Sequence, residues 1–273
     1  MITVARNDVV ATAYQRPKPN TGLSAYYLAL ELKRAFSQIA TIFFCFALPV
    51  FFYLAFGAFA GDATAGRGNA NAMMLVLMGV YASSFTAATM SIGVAHERPL
   101  GWNRQLRLTP LRPWAYIVTQ ALAAMIAGLA AIVFLYLVAA AIGKADMPAW
   151  MWFATLGTSW LFSAAFAALG LFVALSMKPE TATAVIVPVM LACCFLSGVF
   201  MLPLAGEFFR VFAQFVPLNG IANVGLSFFG MDATQVSQSF QNLNWRVWAN
   251  AIGWTVVFLA GAVLAYARDT QRQ

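Results

Sequence analysis

The sequence predicts an all-α integral membrane protein with six transmembrane helices. Of its 273 residues, 62% are hydrophobic and only 9% are charged, which is far from the composition of a soluble domain. The few charged residues leave long uncharged windows between them, and a bilayer core about 30 Å thick needs roughly 20 apolar helical residues to cross it. Lys and Arg are also unevenly divided between alternate loops. Together these observations predict the fold class and the number of spans.

Six windows of the chain are long enough to cross the membrane. We expect the spans at about 37–60, 72–95, 114–142, 150–176, 181–202 and 247–267. No internal repeat and no low-complexity linker divides the sequence, so residues 1–273 are predicted to form a single transmembrane domain.

An amphipathic helix is predicted ahead of the first span, over residues 23–36. Ser24 is suited to cap its N-terminus, and the basic pair Lys33 and Arg34 lies near its end. We expect this helix to lie along the inner membrane surface. The alternative is that it extends the first span into the cytoplasm.

The uncharged window 211–231, between spans five and six, is predicted not to cross the membrane. Six of its polar or helix-disfavouring residues lie close together, namely Gln214, Pro217, Asn219, Gly220, Asn223 and Gly225. Such a segment is tolerated at membrane depth only where protein or water satisfies its backbone. We therefore predict a re-entrant or interfacial helical segment on the outer side, with a short helix over 207–215 at its start.

The positive-inside rule orients the spans. With six spans and a cytoplasmic N-terminus, 12 of the 16 Lys and Arg residues face the cytoplasm, and this side carries the whole net charge of +7. Both termini are therefore expected in the cytoplasm, with the protein in the cell (inner) membrane. Because the basic residues face anionic lipid, we expect membrane lipid as a partner and no nucleic acid.

Several kinds of chemistry are missing from the sequence. No Asp, Glu, Lys, Arg or His falls inside a predicted span, which argues against an ion-coupled transporter. No phosphate-binding loop of the GxxxxGK[ST] type is present, so the chain is predicted to be non-catalytic. His96 is the single histidine and has no second metal ligand nearby, which argues against a metal site. Cys45, Cys193 and Cys194 are expected to be free thiols.

A charged loop, HERPLGWNRQLRLTP at 96–110, separates spans two and three. One interpretation is that this loop serves only to fix the topology. However, residues 101–108 can form a short helix between Pro99 and Pro110, which would present Arg104 and Arg107 to an acidic partner surface.

Two motifs of the chain resemble the ABC-2 type permease family, the membrane subunits of a class of ATP-binding-cassette transporters. In that family, spans two and three are joined by a segment of the form Glu-Arg-Glu-x-Gly. A leucine-rich turn and then Ser/Thr-Pro follow it. Residues 97–101 (ERPLG) and 106–110 (LRLTP) match this pattern, with Pro99 in place of the second acidic residue. Residues 195–204 (FLSGVFMLPL) and Pro217-Leu218 resemble the run after the family's fifth span, although a second proline after Pro203 is missing.

The resemblance implies an ABC-2 permease (type V exporter-like) fold. The loop would be a coupling helix that contacts a separate ATPase through Glu97, Arg98, Gly101, Arg104, Arg107, Thr109 and Pro110. The motif after the fifth span would comprise Ser197, Gly198, Pro203 and Pro217. The resemblance also implies a homodimer of the permease with two ATPase subunits. The chain would hold no cofactor itself, since ATP and Mg bind to the partner.

These features predict the permease subunit of an ATP-driven exporter. An almost charge-free interior favours a hydrophobic or amphipathic cargo, as in drug or antibiotic efflux. A polysaccharide, lipid or copper-related cargo is an alternative within the family. A stand-alone channel, scramblase or assembly factor without an ATPase is the alternative outside it.

Overall fold

A computed structural model describes residues 33, 42–60, 63–97, 113–200, 211–230 and 245–271. A π-helical turn, Phe43–Ala47, leads into α1 (Leu48–Ala60), and the short strands β1 (Thr64–Ala65) and β2 (Gly68–Asn69) form an antiparallel hairpin. The remaining elements are helical: α2 (Ala70–Ser91), α3 (Gly93–Glu97), α4 (Pro113–Ile142), α5 (Ala149–Ser176), α6 (Pro179–Leu196), α7 (Pro217–Ser227) and α8 (Trp245–Gln271).

Five helices within the described residues are long and apolar enough to cross a membrane. They are Ala70–Glu97, Ile117–Ile142, Ala149–Ser176, Pro179–Leu196 and Trp245–Arg268, at the positions of predicted spans two to six. The first predicted span, 37–60, is described only from residue 42 and contains a shorter apolar helix, Phe43–Gly57. Six spans therefore remain a prediction. Of the predicted amphipathic helix at 23–36, only Lys33 is described.

The π-helical turn widens the chain just before Pro49. The amide of Leu48 donates to the carbonyl of Phe43, five residues earlier, whereas an α-helix would use the carbonyl four residues earlier. Because proline has no amide hydrogen, an α-helix at this point would leave an upstream carbonyl without its donor. The turn also places the buried thiol of Cys45 3.7 Å from the hydroxyl of Thr89 on α2. As predicted, Cys45, Cys193 and Cys194 are free.

Helix α2 lies at the centre of the protein, and 89% of its most apolar 18-residue window is buried. Small residues let α4 and α5 approach it closely. A Cβ atom added at Gly128 would lie 2.9 Å from the Ser83 carbonyl oxygen, and one added at Gly170 would meet the Ala88 carbonyl oxygen. The Ser83 hydroxyl lies 3.2 Å from the carbonyl oxygen of Ser159. Close backbone approach thus holds α2, α4 and α5 together.

Helices α4 and α5 are also joined by side-chain hydrogen bonds. The Tyr136 hydroxyl donates to Thr155 over 3.0 Å, and the Trp160 indole donates to the carbonyl of Met125 over 3.0 Å. Both polar groups are satisfied by another helix, as the interior of a bilayer requires. These bonds fix the register of the two helices.

The hairpin, the α4–α5 loop and the end of α7 meet at one end of the helix bundle, which we call the hairpin end. The Asn69 amide donates to the carbonyl of Asp146 over 3.0 Å, and the Arg67 amide donates to the carbonyl of Phe229 over 2.8 Å. The opposite end, which we call the α3 end, brings together α3, the first turns of α4 and the start of α6. Loops assigned to opposite membrane sides thus lie at opposite ends of the bundle.

Helix α7 is too short to span and is buried inside the protein. Leu218, Ala222 and Val224 are almost completely covered, and α7 contacts α2, α5 and α8. Two side chains of α8 bind the turn that precedes α7. Asn250 donates to the Gln214 carbonyl over 2.6 Å, and Trp254 donates to the Phe215 carbonyl over 2.8 Å. Of the helix predicted over 207–215, residues 211–213 are helical and 214–215 form a turn, while 207–210 lie outside the described residues.

Candidate functional site

The second span does not continue straight into the charged loop. Helix α2 ends at Ser91, a turn follows at Ile92, and the short helix α3 carries the chain to Glu97. The turn is closed by backbone bonds from Ile92 to the Thr89 carbonyl and from Ala95 to the Ile92 carbonyl, 3.2 and 2.9 Å long. The charged loop is therefore preceded by a separate short helical element, which is buried at Val94 and Ala95.

One side of α3 is bound to α6 through His96. Its Nε2 atom lies 3.1 Å from the Thr183 hydroxyl, which lies 3.0 Å from the carbonyl oxygen of Pro179. The donor in the contact between His96 and Thr183 depends on the tautomer of the imidazole. The contact links α3 to α6.

The other side of α3 faces α4 through Glu97. This residue is 4% exposed, and the side-chain amide of Gln120 lies 3.5 Å from one carboxylate oxygen. Gln120 is 3% exposed, so the contact is inside the permease. Glu97 was expected to contact the ATPase, whereas its carboxylate faces its own chain. That expected contact stays a prediction, since no partner is present.

The other loop residues of the predicted site, Arg98, Gly101, Arg104, Arg107, Thr109 and Pro110, lie outside the described residues. The two helices that flank them, α3 and α4, come together at the α3 end. Thr183 and Gln120 were not among the predicted site residues. Gln120 could have been identified from the sequence, because it is a polar amide in an otherwise apolar stretch. Thr183 could not have been identified in this way, since a threonine at the start of a span is common.

Within the described residues, the two parts of the second predicted motif lie near each other. Ser197 and Gly198 end α6, and Gly198 has a φ of 79°, which a glycine adopts without steric cost. Pro217 begins α7, where its missing amide hydrogen is not needed. Two residues later, the Asn219 side chain donates to the Ser197 carbonyl over 2.9 Å. Pro203 lies outside the described residues.

A cluster of aromatic side chains fills the region between α1, α2 and α6. The Phe200 ring lies 4.6 Å from Phe52, 4.9 Å from Phe195 and 5.5 Å from Tyr81 between ring centroids. Within the described part of the chain, three buried hydroxyls lack a hydrogen-bond partner: Tyr53, Tyr81 and Ser84. Buried hydroxyls are usually paired, so this region combines an apolar interior with unused polar groups.

A sequence model of the family described as ABC-2 family transporter protein matches residues 62–267. The match includes α2 to α7, nearly all of α8, and the charged loop between α3 and α4. No curated protein matches the chain.

Proposed function

Since this chain belongs to the ABC-2 transporter family, a family of multi-pass membrane proteins, we propose that it is the permease subunit of an ATP-driven exporter. The observation that carries the proposal is the family match, which includes the charged loop and the helices on both sides of it. The chain has no phosphate-binding loop of its own. The energy for transport would therefore come from a separate ATP-binding-cassette subunit that binds ATP and Mg.

We propose that the ATPase binds at the α3 end. The loop that joins α3 to α4 carries the basic residues Arg98, Arg104 and Arg107, and Lys178 directly precedes α6. A basic surface favours an acidic partner surface and speeds their encounter. Glu97 would act from within, by holding the start of the loop against α4.

The proposed cargo is a hydrophobic or amphipathic compound, such as a drug or antibiotic. Two features support it: the aromatic cluster around Phe200, which suits a cargo with rings, and the unpartnered hydroxyls of Tyr53 and Tyr81. The charged side chains of the described residues lie at the helix ends and in the loops. A strongly charged cargo would find no counter-charge between these ends.

The permease is proposed to work as a homodimer with two ATPase subunits in the cell (inner) membrane. Affinity purification of the tagged chain from solubilised membranes, followed by mass measurement of the intact complex, tests this composition. Two permeases with two ATPases are expected. A single permease that transports without an ATPase would instead favour a channel, scramblase or assembly factor.

Transport itself is tested in vesicles that contain the purified complex. A panel of drug-like compounds, lipids, polysaccharide and copper is offered, with ATP and with a non-hydrolysable analogue. The proposal expects ATP-dependent movement of a drug-like compound away from the ATPase side. Movement of a polysaccharide, a lipid or copper would keep the permease assignment and change the cargo.

A further inference from the structure

Tyr81 lies in the middle of α2, and its hydroxyl has no hydrogen-bond partner within the described residues, although the side chain is fully buried. Other hydroxyls of this helix bond back to its own backbone, as those of Ser83, Thr89 and Ser91 do. A tyrosine hydroxyl lies too far from its own backbone for such a bond. The O–H group of Tyr81 therefore needs an acceptor from outside α2, because an unpaired donor in an apolar interior is costly.

The Tyr81 ring belongs to the aromatic cluster around Phe200. Its centroid lies 5.5 Å from that of Phe200 and 5.3 Å from that of Phe85. Phe200 in turn lies 4.6 Å from Phe52 on α1 and 4.9 Å from Phe195 on α6. Tyr81 brings a polar group to these otherwise apolar rings. An apolar lining with a few polar groups is typical of sites that bind small molecules.

The cluster extends from the surface of the protein to its core. Phe195 is 43% exposed, Phe200 is 1% exposed and Tyr81 is fully buried. Phe195 lies on α6, the helix with only 22% of its most apolar window buried. A compound dissolved in the membrane would therefore meet Phe195 first and Tyr81 last.

This part of the core can open through side-chain movement alone. Among the described residues, α1 and α6 each pack against α2, while their backbones scarcely approach each other. Aromatic rings bridge the space between them, and rings can turn about side-chain torsions without moving a helix. By contrast, α4 and α5 meet α2 through close backbone contacts at Gly128 and Gly170. A flat ligand is thus admitted more easily between α1 and α6 than between α2 and α5.

We infer that Tyr81 is a specificity-determining residue of a cargo site in this cluster, where its hydroxyl donates to an acceptor oxygen on an uncharged aromatic compound. A carbonyl oxygen is such an acceptor. The inference rests on the proposed function, because it takes the bound compound to be the cargo of the exporter. The rings select a flat aromatic compound, and the hydroxyl selects among such compounds for one with an acceptor.

The test uses two probes, fluorenone and fluorene. Both are flat tricyclic compounds, and they differ in that fluorenone has a carbonyl where fluorene has a methylene group. Their dissociation constants are measured by equilibrium dialysis with the protein as purified in detergent, together with any ATPase that co-purifies. Uptake by protein-free micelles is subtracted. The ratio of the two dissociation constants then reports the contribution of the carbonyl.

Three variants are compared with the parent. Tyr81→Phe removes only the hydroxyl. Tyr136→Phe is the matched control, because Tyr136 is also buried but its hydroxyl is already bonded to Thr155. Phe200→Leu removes a ring of the cluster and keeps the hydroxyl of Tyr81.

The parent is expected to bind fluorenone more tightly than fluorene. In Tyr81→Phe the affinity for fluorenone should fall about 2- to 10-fold, the effect of one hydrogen bond, while the affinity for fluorene is unchanged. Tyr136→Phe should keep the ratio of the parent. Phe200→Leu should weaken the binding of both probes.

Thermal unfolding without a probe separates this role from a structural one. Tyr81→Phe should unfold at the temperature of the parent or above it, because it removes a buried polar group that has no partner. Tyr136→Phe should unfold at a lower temperature, since it loses a hydrogen bond between two helices. A lower midpoint for Tyr81→Phe with an unchanged ratio of dissociation constants would show a structural role and overturn the inference.

The failure of this inference and that of the proposed function can be told apart. If the parent binds neither probe or binds both equally, or if Tyr81→Phe keeps the parent's ratio, the inference is overturned, and ATP-driven transport of another compound would leave the proposed function standing. If the preference for fluorenone depends on Tyr81 but no ATPase co-purifies and ATP drives no transport, the binding site stands and the exporter assignment fails.

Discussion

The side-chain amide of Asn219, at the start of α7, donates a hydrogen bond to the carbonyl oxygen of Ser197, at the end of α6, over 2.9 Å. Both residues are buried, with Asn219 4% exposed and Ser197 fully covered. The bond joins the two halves of the motif that follows the fifth predicted span. It holds α7 inside the helix bundle, because a polar helix start needs such partners when it is buried.

Replacing Asn219 with leucine should therefore destabilise the protein. The Ser197 carbonyl would lose this partner in a buried position, which costs about 1 to 3 kcal/mol. The measurement is thermal unfolding of the purified protein in detergent. Asn223→Leu is the comparison on the same helix, because it removes only the two bonds that Asn223 donates to Asn219 within α7 and leaves the bond to Ser197 in place. An equal loss of stability in both variants would contradict the role given to Asn219.

Gly170→Ala should separate α5 from α2. The added Cβ would collide with the carbonyl oxygen of Ala88, which is backbone and cannot turn away. Overpacking of this kind costs typically about 1 to 3 kcal/mol. Gly157→Ala on the same helix is the control, since nothing lies within 4 Å of its added Cβ. Thermal unfolding should show a lower midpoint for the first variant and an unchanged or higher one for the second.

Asn69 is predicted to stabilise the hairpin end through three side-chain bonds. Its oxygen accepts from the amides of Ala72 and Asp146, and its nitrogen donates to the Lys144 carbonyl. Asn69→Ala loses the helix cap and should cost about 0.5 to 2 kcal/mol. Asn69→Asp keeps both accepted bonds and places a negative charge at a helix N-terminus, so it should cost less. Equal unfolding midpoints for the two variants would refute this assignment.

The two ends of the bundle should face opposite sides of the membrane, with the hairpin end outside. Single cysteines at Thr64 and Lys144 should react with a membrane-impermeant maleimide in intact cells. A cysteine at Lys178, at the α3 end, should react only after the membrane is opened. The reverse labelling pattern would overturn the orientation predicted from the positive-inside rule.

Sequence patterns predicted the positions of the helices well, because a helix that crosses a bilayer needs a long stretch without charged residues. The second span was predicted at 72–95, and the chain is helical over Ala70–Ser91 and again over Gly93–Glu97. The turn at Ile92 was not predicted, because no proline or charged residue marks it. Its geometry depends on the packing of Val94 and Ala95 in the core.

The contacts of the candidate site were harder to predict than its elements. The polar residues Asn219 and Asn223 correctly indicated that 211–231 would not span. The partner of Asn219 could not be predicted from the sequence, since Ser197 lies 22 residues earlier. The same holds for Glu97 and Gln120, which are 23 residues apart. Glu97 was predicted to contact the ATPase, and its contact with Gln120 could not be foreseen because it depends on the position of α4.

The central claim is that a separate ATPase drives this permease through the loop 98–112. The most direct measurement is ATPase binding to the double variant Arg104→Glu with Arg107→Glu, compared with Arg268→Glu with Arg272→Glu. Both variants remove the same charge from the same membrane side, but only the first alters the loop. Loss of charged contacts at an interface can cost about 2 to 5 kcal/mol. The account predicts that the loop variant reaches the membrane and loses the ATPase, while the control retains it. Unchanged ATPase binding and ATP-driven transport in the loop variant would contradict the claim.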